Sequence, residues 1–230
     1  MKQREEYWDK QLNIHTMGRD DSHADEYRYP YEPTSYEVLD RLVREEYLTS
    51  DSVLVDYGCG KGRVDFFLSY RTGCRAIGIE YDQTMIRFAL ENQKGCKKAC
   101  HTQFICERAE EYKVDADVDS FYFFHPFSVE ILQKVLARIQ ESYYENPRCM
   151  TLFFYYPSDE YISYLMTVEE LTFLDEIDCR DLFNGSNERE RIVVFEMDGN
   201  FVGFYDGEQY KKQTSRQRGL KEALCLLICL

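Results

Sequence analysis

The stretch Val53-Leu54-Val55-Asp56-Tyr57-Gly58-Cys59-Gly60-Lys61-Gly62 decides the fold. A short apolar run, Ser52 to Tyr57, leads into glycines at alternate positions, and Arg63 to Tyr70 reads as a helix. Glycines at this spacing let the backbone turn sharply and lie flat against a ligand, where any Cβ would intrude. The start of the following helix offers free N–H groups. The dinucleotide fingerprint differs, because its third glycine falls three residues after the second, where this chain has Arg63. Spacing alone leans away from a nicotinamide or flavin cofactor.

Outward from this turn, strands and helices alternate. Arg75 to Glu80 reads as a strand and Gln83 to Gln93 as a helix with Met85, Ile86, Ala89 and Leu90 on one face. Thr102 to Cys106 and Ser120 to Phe124 read as strands. Ser128 to Glu141 is an amphipathic helix with Ile131, Leu132, Val135, Leu136 and Ile139 as its stripe, and Cys149 to Tyr155 is a fifth strand. After a short helix at Asp159 to Leu165 the rhythm changes. Leu171 to Cys179 and Arg191 to Met197 read as strands joined through Asn184-Gly185-Ser186-Asn187 without a helix, which is a hairpin pattern. On the N-terminal side, Glu5 to Leu12 is a short helix and His15 to Arg28 a loop. Thr34 or Ser35 caps a helix with Val38, Leu39, Leu42 and Val43 on its apolar side. The expectation is an α/β, Rossmann-like sheet, mostly parallel, with a C-terminal antiparallel hairpin strand and helices on both faces.

In this setting the chain resembles the class I S-adenosylmethionine-dependent methyltransferases. The likeness rests on residues 53–62 and on Ala76-Ile77-Gly78-Ile79-Glu80, where Glu80 ends the second strand 24 residues after Asp56. It is most similar to a bacterial group with a Tyr-x-Pro-Thr-x-Tyr lead-in, here Tyr31-Glu32-Pro33-Thr34-Ser35-Tyr36. That group also has a Phe-Asn-Pro-Phe-like fourth-strand end, here Phe124-His125-Pro126-Phe127. The resemblance covers roughly residues 30 to 197.

It implies S-adenosylmethionine as cofactor and an unidentified methyl acceptor, with a lean to a nitrogen nucleophile. Asp56 would orient the glycine turn and the methionine amino group. Gly58, Cys59, Gly60 and Gly62 would pack beside the methionine and ribose, and Glu80 would hold the ribose hydroxyls. Tyr81, Ala109 and Phe124 would complete the cofactor site. The family carries an acid just ahead of the small residue after the third strand, where it accepts from the adenine amino group. Here Arg108 precedes Ala109, and arginine cannot accept. Glu107, Glu110 or backbone groups are the alternatives. Tyr31, Pro126, Phe127 and Tyr155 are candidate acceptor-site residues, whereas Tyr36 reads as packing. His125, at the carboxyl edge of the sheet where α/β ligands sit, is either a catalytic imidazole or a local cap for the next helix. The domain division expected is an extension covering the site (1–48), an S-adenosylmethionine-binding domain (49–200) and a tail (201–230).

Composition limits the alternatives. A net charge of −14 argues against nucleic acid as the main partner and leaves a small-molecule or protein acceptor. The nine cysteines are odd in number and scattered, as in a reducing, cytoplasmic setting. Cys96 and Cys100 beside His101, and Cys225 with Cys229, lack the second ligand pair of a zinc site, so no metal is expected. The run Ala223 to Leu230 is too short to span a membrane. Two other functions compete: a non-catalytic module binding S-adenosylmethionine or its demethylated product, and a nicotinamide-dependent oxidoreductase.

Overall fold

Strand β1 (Val53–Tyr57) is buried at every position, as a central parallel strand must be when helices cover both its faces. It sits mid-sheet in the computed structural model, which describes residues 2–22, 26–183 and 185–197. The 201–230 tail, with Cys225 and Cys229, lies outside the described residues, as does Asn184 of the hairpin connection.

The remaining strands are β2 (Arg75–Glu80), β3 (His101–Cys106), β4 (Ser120–Phe124), β5 (Met150–Tyr155), β6 (Thr172–Asp178) and β7 (Arg191–Met197). Their order is β3-β2-β1-β4-β5-β7-β6. The first five are parallel, and β7 runs antiparallel between β5 and β6. The expected hairpin is therefore present, with its second strand inserted beside β5 and its first forming the edge.

Helices α1 (Lys2–Leu12), α2 (Tyr36–Arg44), α3 (Arg63–Thr72), α4 (Gln83–Gly95), α5 (Val129–Glu145) and α6 (Asp159–Leu165) complete the fold. Ser35 is the residue that caps α2, accepting from the Glu37 N–H. Pleat alternation divides the core. Val53, Val55 and Tyr57 face the α5 stripe of Ile131, Leu132, Val135, Leu136 and Ile139. Leu54 and Tyr122 face the other way, onto Val38 and Leu39 of α2 and Val64, Phe66 and Phe67 of α3. Strands β1 and β4 are parallel neighbours, and the strand order changes direction between them, so the edge formed by their carboxyl ends is the crevice position of open α/β sheets. Among the described residues no helix is long and apolar enough to cross a membrane.

Candidate active site

The turn after β1 holds its shape through three positive φ angles, +77° at Gly58, +54° at Gly60 and +84° at Gly62. The Gly58 and Cys59 N–H groups both donate to the Ile79 carbonyl (2.9 and 3.2 Å), tying the turn to β2. The Gly60 N–H donates to Glu80 Oε2 (3.1 Å), while Glu80 Oε1 accepts from the Asp82 N–H (3.0 Å). Burial raises the Glu80 carboxyl above its ordinary range. Two contacts require glycine in the turn. A Cβ on Gly58 would lie 2.6 Å from Pro126 Cβ, and one on Gly60 would overlap the Tyr31 ring.

A cleft opens over this turn, floored by Asp56, Gly58, Cys59 and Glu80 and walled by Phe124, Pro126 and Phe127 on the β4 side. Tyr81, Glu107, Ala109 and Glu110 close the side toward β2 and β3, and Arg28 to Thr34 of the N-terminal extension form the roof. Burial pushes the Asp56 carboxyl up to about 7; Asp65 opposes the shift and Glu80 adds to it. Seven carboxyl residues (Asp20, Glu32, Asp56, Glu80, Asp82, Glu107 and Glu110) line the cleft, against the two guanidiniums of Arg28 and Arg63. That balance favours a cationic ligand over an anionic one.

The extension is fastened at three points. Its backbone runs antiparallel to the end of β4: the Tyr29 N–H donates to the Pro126 carbonyl (3.1 Å) and the Ser128 N–H to the Tyr27 carbonyl (2.8 Å). The Tyr31 hydroxyl donates to the Thr16 carbonyl (2.6 Å), and the Lys61 ammonium lies 4.8 Å from the Tyr31 ring centre. Arg63, at the start of α3, is buried and donates to Glu5 of α1, to Thr16 Oγ1 (2.7 Å) and to the Thr34 carbonyl (3.1 Å). Arg63 is thus the anchor of the extension. Its sequence position beside the glycines gave no sign of this.

Ten of the fourteen expected site residues line the cleft: Asp56, Gly58, Cys59, Glu80, Tyr81, Ala109, Phe124, Tyr31, Pro126 and Phe127. Four do not. Gly60 is covered by Tyr31, and Gly62 packs beneath Phe104 and Phe66. Tyr155 is a correction to the acceptor-site expectation. Strand β5 turns it into the core, where its hydroxyl donates to Glu190 (2.6 Å). His125 is the other. Its ring lies between those of Tyr29 (4.7 Å, 14°) and Tyr161 (4.8 Å, 42°), outside the cleft wall. Burial, with Arg189 adding, pushes its pKa down to about 4. It does not cap α5 either, where the Ser128 N–H is taken by Tyr27.

The structure also adds residues to the site. Arg28 lies 4.9 Å from the Tyr81 ring centre and pairs with Glu110 (3.1 Å), while Arg108 points outward. Reading Arg28 as loop missed it, although it stands three residues ahead of the Tyr31 lead-in. Among the described residues no group of three or more His, Cys, Asp or Glu could hold a metal ion.

Comparison with known proteins agrees with this architecture. Residues 54–143 match the family model described as a methyltransferase domain. Phosphoethanolamine N-methyltransferase 1 of Zea mays is 35% identical over 68 residues, which make up 30% of this chain and 13% of that protein. The fold is similar to that of an RNA methyltransferase from Salinibacter ruber solved with S-adenosyl-L-homocysteine (TM-score 0.54, 16% identity, 76% of this chain and 97% of that one). It is also similar to an S-adenosylmethionine-dependent methyltransferase from Thiobacillus denitrificans, solved with the same ligand (TM-score 0.50, 14% identity, 83% of this chain and 96% of that one). Residues 54–143 thus match a methyltransferase domain across the part of the sheet that carries the glycine turn, and the fold around it is one shared with S-adenosylmethionine-dependent methyltransferases.

Proposed function

We propose that this protein transfers a methyl group from S-adenosylmethionine to a nitrogen of an amine-bearing acceptor, a small molecule or a protein side chain. The observation that carries this reading is the acidic cleft, which runs without a break from the glycine turn to Phe124, Pro126 and Phe127. The residues present fit the cofactor. Gly58 offers a stretch of floor without a side chain, Asp56 supplies a carboxylate for an ammonium, and Glu80 stands where a ribose edge would be read. Glu110, on the cleft wall, can accept from an adenine amino group in place of Arg108.

When bound, the cofactor supplies a methyl group already activated by a sulfonium. The chain's share is therefore to hold the acceptor in line and exclude water. Phe124, Pro126 and Phe127 present an apolar wall for that purpose, and the extension roofs it. No strong base is needed if the amine arrives neutral, and His125, weakly basic and stacked, is not suited to that role. The acidic lining attracts a cationic amine, and the apolar wall favours its neutral form at the point of reaction.

Calorimetry with S-adenosylmethionine, S-adenosylhomocysteine and NAD side by side tests the cofactor half. Both S-adenosyl ligands are expected to bind, and tight NAD binding without them would overturn it. A panel of amine, phenol and carboxylic acid acceptors, read by release of S-adenosylhomocysteine, tests the other half. Turnover confined to phenols or acids would remove the nitrogen assignment, and cofactor binding without turnover on any acceptor would leave a binding module.

A further inference from the structure

On the first turn of α3, directly behind the glycine turn, Asp65 is completely buried. No donor reaches either of its carboxyl oxygens, and none reaches Asp56 Oδ2. Pleat alternation puts Asp56 on the face of β1 that it shares with Leu54, the face that α3 covers, so the two carboxyls meet. A carboxylate buried without a cation or a donor is strongly disfavoured, and two in contact cannot both ionise. The Arg63 guanidinium does not relieve them: its Nε and Nη1 are engaged by Thr16, Glu5 and Thr34, and its Nη2 lies 3.8 Å from Asp9 of α1. The other groups acting on the pair are acidic or neutral: Glu80 of β2, the Cys59 thiol in the turn, the Cys74 thiol ahead of β2, and the phenols of Tyr122 on β4 and Tyr31 in the roof. Burial and the neighbouring Asp56 hold Asp65 well above the usual carboxylate range.

We propose that Asp65 is a positioning residue: it keeps its proton, donates it to Asp56, and so presents Asp56 as the anion that grips the ammonium of the cofactor's amino-acid part. This rests on the S-adenosylmethionine reading above. It follows that binding is coupled to a proton. Below neutrality the pair takes up a second proton and Asp56 loses its charge, so affinity falls as pH falls. A buried acid with no partner other than the residue it serves also costs stability, as groups held for function often do.

The experiment is calorimetric titration of the full chain with S-adenosylhomocysteine across neutral pH, with thermal melts and infrared spectra of the same samples. Wild-type affinity is expected to weaken as pH drops through about 7, approaching roughly tenfold per pH unit below it. Asp65→Asn, which keeps a donor toward Asp56, should bind within about threefold of wild type and keep the same profile. Asp65→Leu should bind about tenfold more weakly at neutral pH, with its profile moved to higher pH, yet melt at a higher temperature. The carbonyl stretch of a protonated carboxyl should be present in the wild type above neutrality and absent from Asp65→Asn. If Asp65→Leu does not fold, that infrared band decides. Absence of the band, or Asp65→Leu binding like wild type with an unmoved profile, would overturn the assignment while leaving the cofactor in place. A wild type that binds no S-adenosyl ligand at any pH would overturn both.

Discussion

The imidazole of His125 lies flat against the phenol of Tyr29, with ring centres 4.7 Å apart and planes 14° apart. The residue holding it there has φ +40°, a conformation that non-glycine residues adopt only when their surroundings fix it. This stack joins the end of β4 to the roof of the cleft.

His125→Ala should therefore loosen the roof without removing a reacting group. Melting temperature is expected to fall, and cofactor and acceptor binding to weaken together; loss of turnover with both affinities intact would instead restore a catalytic role. The ring also sets a pH dependence. Its folded pKa, about 4, lies below the ordinary 6.5, so the unfolded chain binds the proton more readily. The resulting loss of stability grows as pH falls from about 6.5 towards about 4. His125→Phe, which keeps a ring and cannot titrate, should flatten that part of a stability–pH curve.

Gly60→Ala should lose stability for two separable reasons. The positive φ disfavours any side chain by about 1–2 kcal/mol, and the new Cβ meets the Tyr31 ring. Combining it with Tyr31→Ala removes only the second part. Denaturant unfolding of the two single variants and the double variant is expected to show a favourable coupling. Strict additivity would mean that Tyr31 does not rest on the turn.

Arg63→Met should destabilise the protein by about 3–5 kcal/mol, because Glu5 loses its buried partner and the Thr34 carbonyl its donor. The extension is expected to become the first region to exchange amide hydrogens. Unchanged protection of residues 5–16 would contradict the anchoring role.

Glu80→Ala should weaken S-adenosylhomocysteine binding by roughly tenfold to a hundredfold, the cost of a charged two-point contact. Because Glu80 also accepts from the Gly60 and Asp82 N–H groups, stability should fall as well. Calorimetry with a parallel melt separates the two effects. Normal affinity in a folded variant would reduce Glu80 to a brace for the turn.

Much of the fold was legible because it is local. The Asp56-to-Gly62 turn, the five apolar strand runs and the α5 stripe each declare themselves within a few residues. The parts that escaped are long-range or two-sided. Arg63 meets Glu5 across 58 positions, and no periodicity in either segment marks that pairing. Tyr155 sits on a strand buried on both faces, so alternation could not tell core from cleft. An acid at Asp65, in the first turn of a helix, has an ordinary explanation in the helix dipole, which conceals its neighbour on β1. His125 stood at the right sheet edge, but which way its ring would point depended on Tyr29 and Tyr161.

The short antiparallel pairing of Tyr27 and Tyr29 with Pro126 and Ser128 is made by main-chain atoms alone. Such bonds do not depend on which side chains the two strands carry. Roof positions other than Arg28, Tyr29 and Tyr31, whose side chains hold Glu110, His125 and the glycine turn, can therefore change while the backbone keeps its place over the cleft. What the cleft admits and how the turn is built are thus separable heritable traits in this architecture: a lineage can alter the first through a handful of codons for the roof while the second stays fixed.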